Sequence, residues 1–278
     1  MDGGGHARLD LSPDAGVGGG PVSPVGDVSA GRWVVERTTG PWLQVGSLLP
    51  GGFAAYARIF HPAYRWTSDR DAAGEGSKAV RSPDGTLRWN IDVPWAEVAA
   101  ANGRVAHPAM DWVTITGSER YLHGDRQPGV WDEEPREGSL PPDQSRKLIS
   151  LLRSHTATPA HCWFALWDGF GNIAVPRDAT RLLMPNRPMV MFSGPITGWV
   201  THQEGDLFEQ SPSLWWPEDR AWCVATDVDL MTTYLGASQA CVRELTRSDG
   251  LEAMPITLDQ PTTWDKDAVN PPARARTP

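Results

Sequence analysis

The residues best suited to chemistry or binding lie close together, between positions 215 and 229. Two tryptophans, an Asp-Arg pair and two further aspartates are gathered there: Trp215, Trp216, Asp219, Arg220, Asp227 and Asp229. Arg220 is of interest because its planar guanidinium can hold a carboxylate through two parallel hydrogen bonds. No other stretch of the sequence combines large aromatic side chains with fixed charges at this density.

Two interpretations of this segment remain open. In the first, which we favour, Arg220 forms a structural ion pair with carboxylates at the ends of a buried strand. Alternation along that strand places Trp222, Val224 and Thr226 on one face. It places Cys223, Ala225 and Asp227 on the other face. In the second interpretation, Trp215 and Trp216 wall a polar pocket in which Arg220 binds an anionic or carbonyl group.

Motifs for nucleotide, metal or hydrolytic chemistry are absent from the sequence. It has no GxxxxGK[ST] loop, no GxSxG elbow and no HExxH helix. The run from Asp227 to Asp229 resembles the opening of a calcium loop, but the required glycine and closing glutamate are missing. We therefore expect no catalytic residue, no metal and no cofactor.

Histidines and cysteines give weaker candidates. A zinc cluster would need three or four ligands at one point. The candidates are four of the seven histidines, scattered along the sequence: His61, His107, His155 and His161. We favour separate histidines that bond to nearby carbonyl groups. Cys162 follows His161 in a predicted strand, so the two side chains point to opposite faces and cannot act as a nucleophile and its base. Cys162 and Cys223 are interpreted as inert core thiols.

Composition narrows the classes of partner and compartment. The 278-residue chain has a formal net charge of −9 and 14 Trp against 6 Phe and 4 Tyr. An acidic chain is a poor match for nucleic acid or an anionic membrane, which bind basic surfaces. The excess of tryptophan is interpreted first as core packing, and alternatively as an aromatic surface for a partner. Three cysteines without CxxC spacing, no signal peptide and no apolar run of ~18 residues predict a cytoplasmic protein.

The pattern of elements predicts an α+β fold with a mostly antiparallel sheet and two or three packed helices. Strands are predicted over residues 53–60, 161–167, 189–192, 222–226, 232–235 and 251–258, and helices near residues 94–102, 142–155 and 238–248. Residues 32–37 are interpreted as a short strand or linker, and residues 68–85 as an exposed loop. A disordered leader over residues 1–31, one domain over 32–260 and a disordered tail over 261–278 complete the prediction.

Two segments also carry a resemblance. The run SLWWPEDRAWCVATDVDL from Ser213 and the run HTATPAHCWFALWDG from His155 resemble a group of uncharacterised actinobacterial proteins. The resemblance covers residues 50–255 and implies a cytoplasmic bacterial setting and a fold built on these two strands. It implies no activity and no catalytic residue.

Three functions are compatible with these observations. The preferred hypothesis is a non-enzymatic, cytoplasmic protein-interaction domain, with an immunity- or antitoxin-like role as one concrete version. The rival is a small-ligand binder or enzyme with a pocket around residues 215–229. The third is a structural domain whose tails tether it to other domains.

Overall fold

The computed structural model describes residues 22–73, 79–82, 84–117, 124–170, 179–185, 187–200, 209–263 and 266–270. These residues confirm the predicted α+β class. The helices are α1 Arg32–Arg37, α2 Arg70–Ala73, α3 Trp95–Ala101, α4 Trp112–Thr116, α5 Pro142–Leu152 and α6 Gln239–Leu245. The strands are β1 Ser23–Pro24, β2 Ala55–Phe60, β3 Ala63–Thr67, β4 Ala79–Arg81, β5 Leu87–Val93, β6 Cys162–Trp167, β7 Leu182–Met184, β8 Arg187–Gly194, β9 Leu214–Pro217, β10 Cys223–Thr226, β11 Thr232–Ala237 and β12 Ala253–Ile256.

The chain divides into two compact units. The first comprises residues 1–59 with 137–260, and the second comprises residues 60–136 with 261–278. The second unit combines an internal segment with the segment after residue 260, and the predicted division into leader, single domain and tail stays a prediction. Residues 1–21 and 271–278 of the predicted leader and tail lie outside the described residues.

A nine-stranded sheet organises the first unit. Its order is β1-β8-β6-β9-β10-β11-β2-β12, and β7 pairs with β8. The pairs β1–β8, β7–β8, β8–β6, β6–β9, β9–β10, β10–β11 and β2–β12 are all antiparallel. Phe164 of β6 stands between Phe192 of β8 and Trp215 of β9 in the register.

The sheet buries both of its faces. Val224 packs with Trp222 in one apolar cluster, together with residues of α5 and α6. Cys223 and Ala225 pack in the other cluster, with α1 and the turn at Val45. The predicted alternation of β10 is therefore confirmed, and it arises because successive side chains in a strand point to opposite faces.

Local sequence explains the two helices on the first face. In α5, Pro142 lies in the first turn, where a missing N–H is not costly, and Asp143 complements the positive end of the helix dipole. Leu148, Leu151 and Leu152 form its buried stripe. In α6, the N-cap Ser238 accepts a hydrogen bond from the Cys241 N–H at 3.2 Å, as predicted.

The prediction for residues 32–37 was wrong, because they form α1 and not a strand or linker. Trp33 and Val34 are buried against the sheet, so tertiary packing outweighs the local preference of two consecutive valines for extended structure. Ordered structure also begins before Trp33: Ser23 of β1 pairs with Ser193 of β8. The segment at 22–31 thus contains a two-residue edge strand and, at Ser29–Gly31, one turn of 3₁₀ helix.

The second unit is a three-stranded antiparallel sheet, ordered β3-β5-β4, with helices α3 and α4. The predicted loop over 68–85 contains α2 and β4. Four aromatic rings make consecutive contacts with centroids 5.0, 5.4 and 5.1 Å apart: Phe60, Trp95, Trp112 and Trp131. Tryptophan packing therefore supplies much of this core.

Part of the predicted tail is held by charged groups of the second unit. The Lys266 Nζ lies 2.7 Å from the Asp111 carboxylate, and both side chains are nearly inaccessible to solvent. The Asp267 carboxylate lies 2.8 Å from His107 Nε2 and accepts a further hydrogen bond from Asn270. Burial alone raises the pKa of Asp267, but hydrogen bonds from Asn270 and Val269 and the nearby His107 lower it overall.

Candidate functional site

The two tryptophans of the predicted pocket lie within β9 and point to opposite faces of the sheet. Trp215 is 4% exposed and contacts the Trp222 ring at 5.2 Å between centroids. Trp216 is 1% exposed and contacts Trp33 on the other face at 6.2 Å. The two rings therefore cannot wall a common pocket, and both serve the core. No strand was predicted over residues 214–217, where the structure has β9.

Asp219 and Arg220 lie in the exposed hairpin between β9 and β10. The Asp219 carboxylate accepts hydrogen bonds from Thr156 Oγ1 at 2.9 Å and from the Ala157 N–H at 2.7 Å, which fixes the neighbouring loop. Arg220 has a positive φ of 57°, and its guanidinium carbon lies 5.4 Å from the centroid of the Trp33 ring. Across the described ranges, no carboxylate forms an ion pair with Arg220. The favoured prediction of an Arg220–aspartate pair is corrected.

The arginine that does bind the aspartates is Arg187, at the start of β8. Its Nε and Nη2 each donate to the Asp227 carboxylate at 3.2 Å, and Nη2 also donates to Asp229 at 2.8 Å. Its guanidinium carbon lies 5.1 Å from the centroid of the Trp167 ring. The hydrogen bonds to Asp227 are the main reason that the pKa of Arg187 is raised.

This geometry presents Arg187 in one fixed orientation. Two carboxylates and an aromatic face hold the guanidinium, while its Nη1 finds no acceptor in the parts of the chain that are described. The side chain keeps 20% of its surface exposed. Because the guanidinium is already oriented, a carbonyl oxygen that approaches Nη1 would gain a hydrogen bond with little loss of side-chain entropy.

A shallow, solvent-open cleft of about 20 Å³ lies beside Arg187, and we call it the Arg187 cleft. Its floor is apolar and comes from the sheet face that α1 packs on: Met184, Met189, Leu214 and Ala225. Its rim includes Trp42, Arg187 and Asp227. An apolar floor with few fixed polar groups at the rim is typical of a binding site.

A strained turn borders this cleft, formed by residues 41–44 and called here the Trp42 turn. The Gln44 N–H donates to the Pro41 carbonyl at 3.2 Å, which closes the turn. Trp42 and Leu43 are 53% and 45% exposed. Leu43 has a φ of 67°, a conformation that turns normally reserve for glycine or asparagine.

The residues that follow hold the Trp42 turn in place. The Val45 N–H donates to the Gln260 carbonyl at 3.0 Å, and the Gly46 N–H donates to the Leu258 carbonyl at 2.8 Å. The Gly40 N–H donates a hydrogen bond to the Gly46 carbonyl at 2.9 Å. The sequence interpretation missed this turn, although a proline followed by two large apolar residues between Gly40 and Gly46 was an available signal.

The histidines and cysteines that the structure describes do not form a reactive centre. His61 Nδ1 lies 2.6 Å from the Arg136 carbonyl, and His155 Nε2 lies 2.8 Å from Glu244. Within the described segments, no three potential metal ligands come together. Burial raises the pKa of Cys162 and of Cys241 to about 12, and it also raises the pKa of Cys223. The three thiols are therefore protonated near neutral pH.

The fold and site define an α+β protein with a large antiparallel sheet and an aromatic turn beside a cleft. In the described part of the chain, every helix is too short or too polar to cross a membrane. Comparisons with protein-family models, with curated proteins and with solved structures find no match.

Proposed function

We propose that this protein is a non-enzymatic interaction domain that binds a protein partner through the Trp42 turn and the Arg187 cleft. The observation that carries the proposal is the Trp42 turn itself. It exposes two large apolar side chains and holds one of them in a left-handed conformation.

The backbone of Leu43 is held in the left-handed region. A non-glycine residue in this region costs about 1–2 kcal/mol relative to ordinary backbone conformations. Exposure of Trp42 to water forgoes the gain that burial of its ring would bring. Strained backbone that persists in a folded protein is concentrated at binding and catalytic sites, and tryptophan is enriched among the residues that dominate binding energy.

Charge indicates the kind of partner. The chain has a formal net charge of −9, and Asp229 at the edge of the ion cluster is 73% exposed. An acidic surface speeds association with a basic partner. An immunity- or antitoxin-like protein is the concrete version that we propose, by analogy with acidic inhibitors of basic proteins. Three buried free cysteines support a reducing, cytoplasmic setting.

A second candidate is a small-ligand binder. The observation in its favour is that Nη1 of Arg187, beside the Arg187 cleft, has no acceptor among the described residues. The two candidates differ in what touches Trp42. A protein partner covers the whole turn, whereas a small ligand occupies the cleft and leaves most of the exposed turn in water.

Site-specific photocrosslinking in cells of the source organism tests the proposal. A benzophenone amino acid replaces Trp42 in one variant and Leu87 in a control variant, because Leu87 is also apolar and is 47% exposed. We expect a discrete protein adduct at position 42 and not at position 87. The same adduct pattern at both positions, or no adduct at either, would contradict the proposal.

In the absence of an adduct, a thermal-shift screen of metabolites against the wild type and Arg187→Ala addresses the second candidate. Stabilisation of the wild type that Arg187→Ala abolishes would support a small-ligand binder.

A further inference from the structure

Among the residues that the structure describes, three strands leave an edge of the main sheet without a neighbour: β1, β7 and β12. Two of them contain a proline, Pro24 in β1 and Pro255 in β12. Proline has no backbone N–H and therefore protects an edge from pairing with another strand. The third, β7, has the sequence Leu-Leu-Met, with no proline and no charge.

The backbone of Leu183 faces the open side of β7. Leu183 stands opposite Pro188 in the antiparallel register, and Pro188 has no N–H with which to bond to it. The Pro188 carbonyl accepts a hydrogen bond from the Asp168 N–H at 3.1 Å. Because bonded and non-bonded pairs alternate along an antiparallel ladder, the Leu183 N–H and C=O point away from β8. The Leu183 side chain is 69% exposed.

The open edge continues directly into the Arg187 cleft. Met184, the residue after Leu183, lines that cleft with Trp42. A strand paired with β7 would place alternate side chains on the cleft side of the sheet, next to Met184. Methionine adapts its shape to varied apolar partners, so a cleft floor that contains Met184 can pack against apolar side chains of different shapes.

We infer that β7 binds an extended segment of the protein partner as an additional strand, with two hydrogen bonds to Leu183. This inference rests on the proposed function and specifies how the partner docks. The segment presents apolar side chains to the Arg187 cleft and basic side chains to solvent. The formal net charge of −9 and the exposed Asp229 select against an acidic segment.

A peptide of matched chemistry tests strand addition without knowledge of the natural partner. The probe is acetyl-Val-Lys-Leu-Lys-Val-Lys-amide, added to the ¹⁵N-labelled full-length chain. We expect the Leu183 amide resonance to shift and its hydrogen exchange to slow by about tenfold or more at saturation. The same peptide with N-methylated bonds at alternate residues keeps its side chains but cannot pair, so it should leave the exchange of Leu183 unchanged.

Two variants and one further peptide sharpen the test. Leu183→Pro removes the N–H and should abolish probe binding, measured by fluorescence anisotropy of a labelled probe. Leu183→Ala keeps the N–H and should bind within about threefold of the wild type. The Glu version of the probe should bind at least about fivefold more weakly than the Lys version. A thermal melt of each variant shows whether it folds.

Each outcome is decisive for a stated claim. Equal effects of the probe and its N-methylated form, or an unchanged Leu183 amide, would overturn strand addition. If the Trp42 crosslink nevertheless forms, the proposed function stands and this inference alone falls. A dimer of the unliganded chain in sedimentation, with Leu183 protected in the dimer, would identify a second copy as the occupant and overturn the choice of a separate partner.

Discussion

Backbone strain at Leu43 can be measured by two substitutions at the same position. Leu43→Ala and Leu43→Gly remove nearly the same side-chain contacts, so their difference isolates the backbone. Glycine relieves about 1–2 kcal/mol of left-handed strain. It also loses about 0.5–1 kcal/mol through its greater freedom in the unfolded chain. We therefore expect Leu43→Gly to be more stable than Leu43→Ala by about 0.5–1 kcal/mol.

Thermal unfolding is the suitable assay, because a difference of this size moves Tm by about 2 °C in a chain of this length. Leu87 supplies the control: it lies in β5, is exposed to a similar degree and has no positive φ. There the order should reverse, with Leu87→Ala more stable than Leu87→Gly, because glycine weakens a strand. If Leu43→Ala matches or exceeds Leu43→Gly in Tm, the turn is not strained and the energetic argument for its function is wrong.

Three further predictions concern charged and titratable groups. Arg187→Met leaves the largely buried Asp227 carboxylate without its main partner and should lower stability by about 1–3 kcal/mol; an unchanged Tm in differential scanning fluorimetry would contradict the ion cluster. Arg220→Met is the matched control and should lower stability by less than about 1 kcal/mol, since its one side-chain interaction with the described residues is the contact with the Trp33 ring; a drop as large as that of Arg187→Met would refute this distinction. Burial raises the pKa of Cys162 and Cys241 from 9.0 to about 12. At pH values between these two, the thiols stay protonated in the folded state but lose their protons in the unfolded state. Stability should therefore be fully present below pH 9.0 and fall as pH rises from there toward about 12; chemical unfolding at pH 8 and 10 measures the fall, and a triple Cys→Ala variant should show less of it.

Elements whose signals lie within a few residues could be predicted from the sequence. The stripe of α5, the Ser238 cap of α6 and the alternation of β10 each depend on residues a few positions apart, and all three are confirmed. The prediction of a strand or linker over residues 32–37 was wrong, because α1 is stabilised by the burial of Trp33 against strands far along the chain.

The candidate site depended on long-range pairing that sequence patterns do not encode. Asp227 and Asp229 bind an arginine, but it is Arg187, 40 and 42 residues away in the chain, and not the predicted Arg220. Arg220 lies closer in sequence and points to Trp33 instead. The assignment of these residues to ligand or partner binding stays a prediction.

The Trp42 turn shows a different limit. Its exposed side chains resemble ordinary core residues in composition, and the local signal, Pro41 between Gly40 and Gly46, does not by itself fix where the chain reverses. Backbone hydrogen bonds from Val45 to Gln260 and from Gly46 to Leu258 fix the turn, and these partners are more than two hundred residues away in the sequence.

The most direct test of an interaction surface at the Trp42 turn is the photocrosslinking comparison between positions 42 and 87. We predict one discrete adduct at position 42, absent at position 87 and reduced when the Arg187→Ala change is added. Crosslinking of equal extent at both positions, or none at position 42 in cells that express the protein, would contradict the central claim.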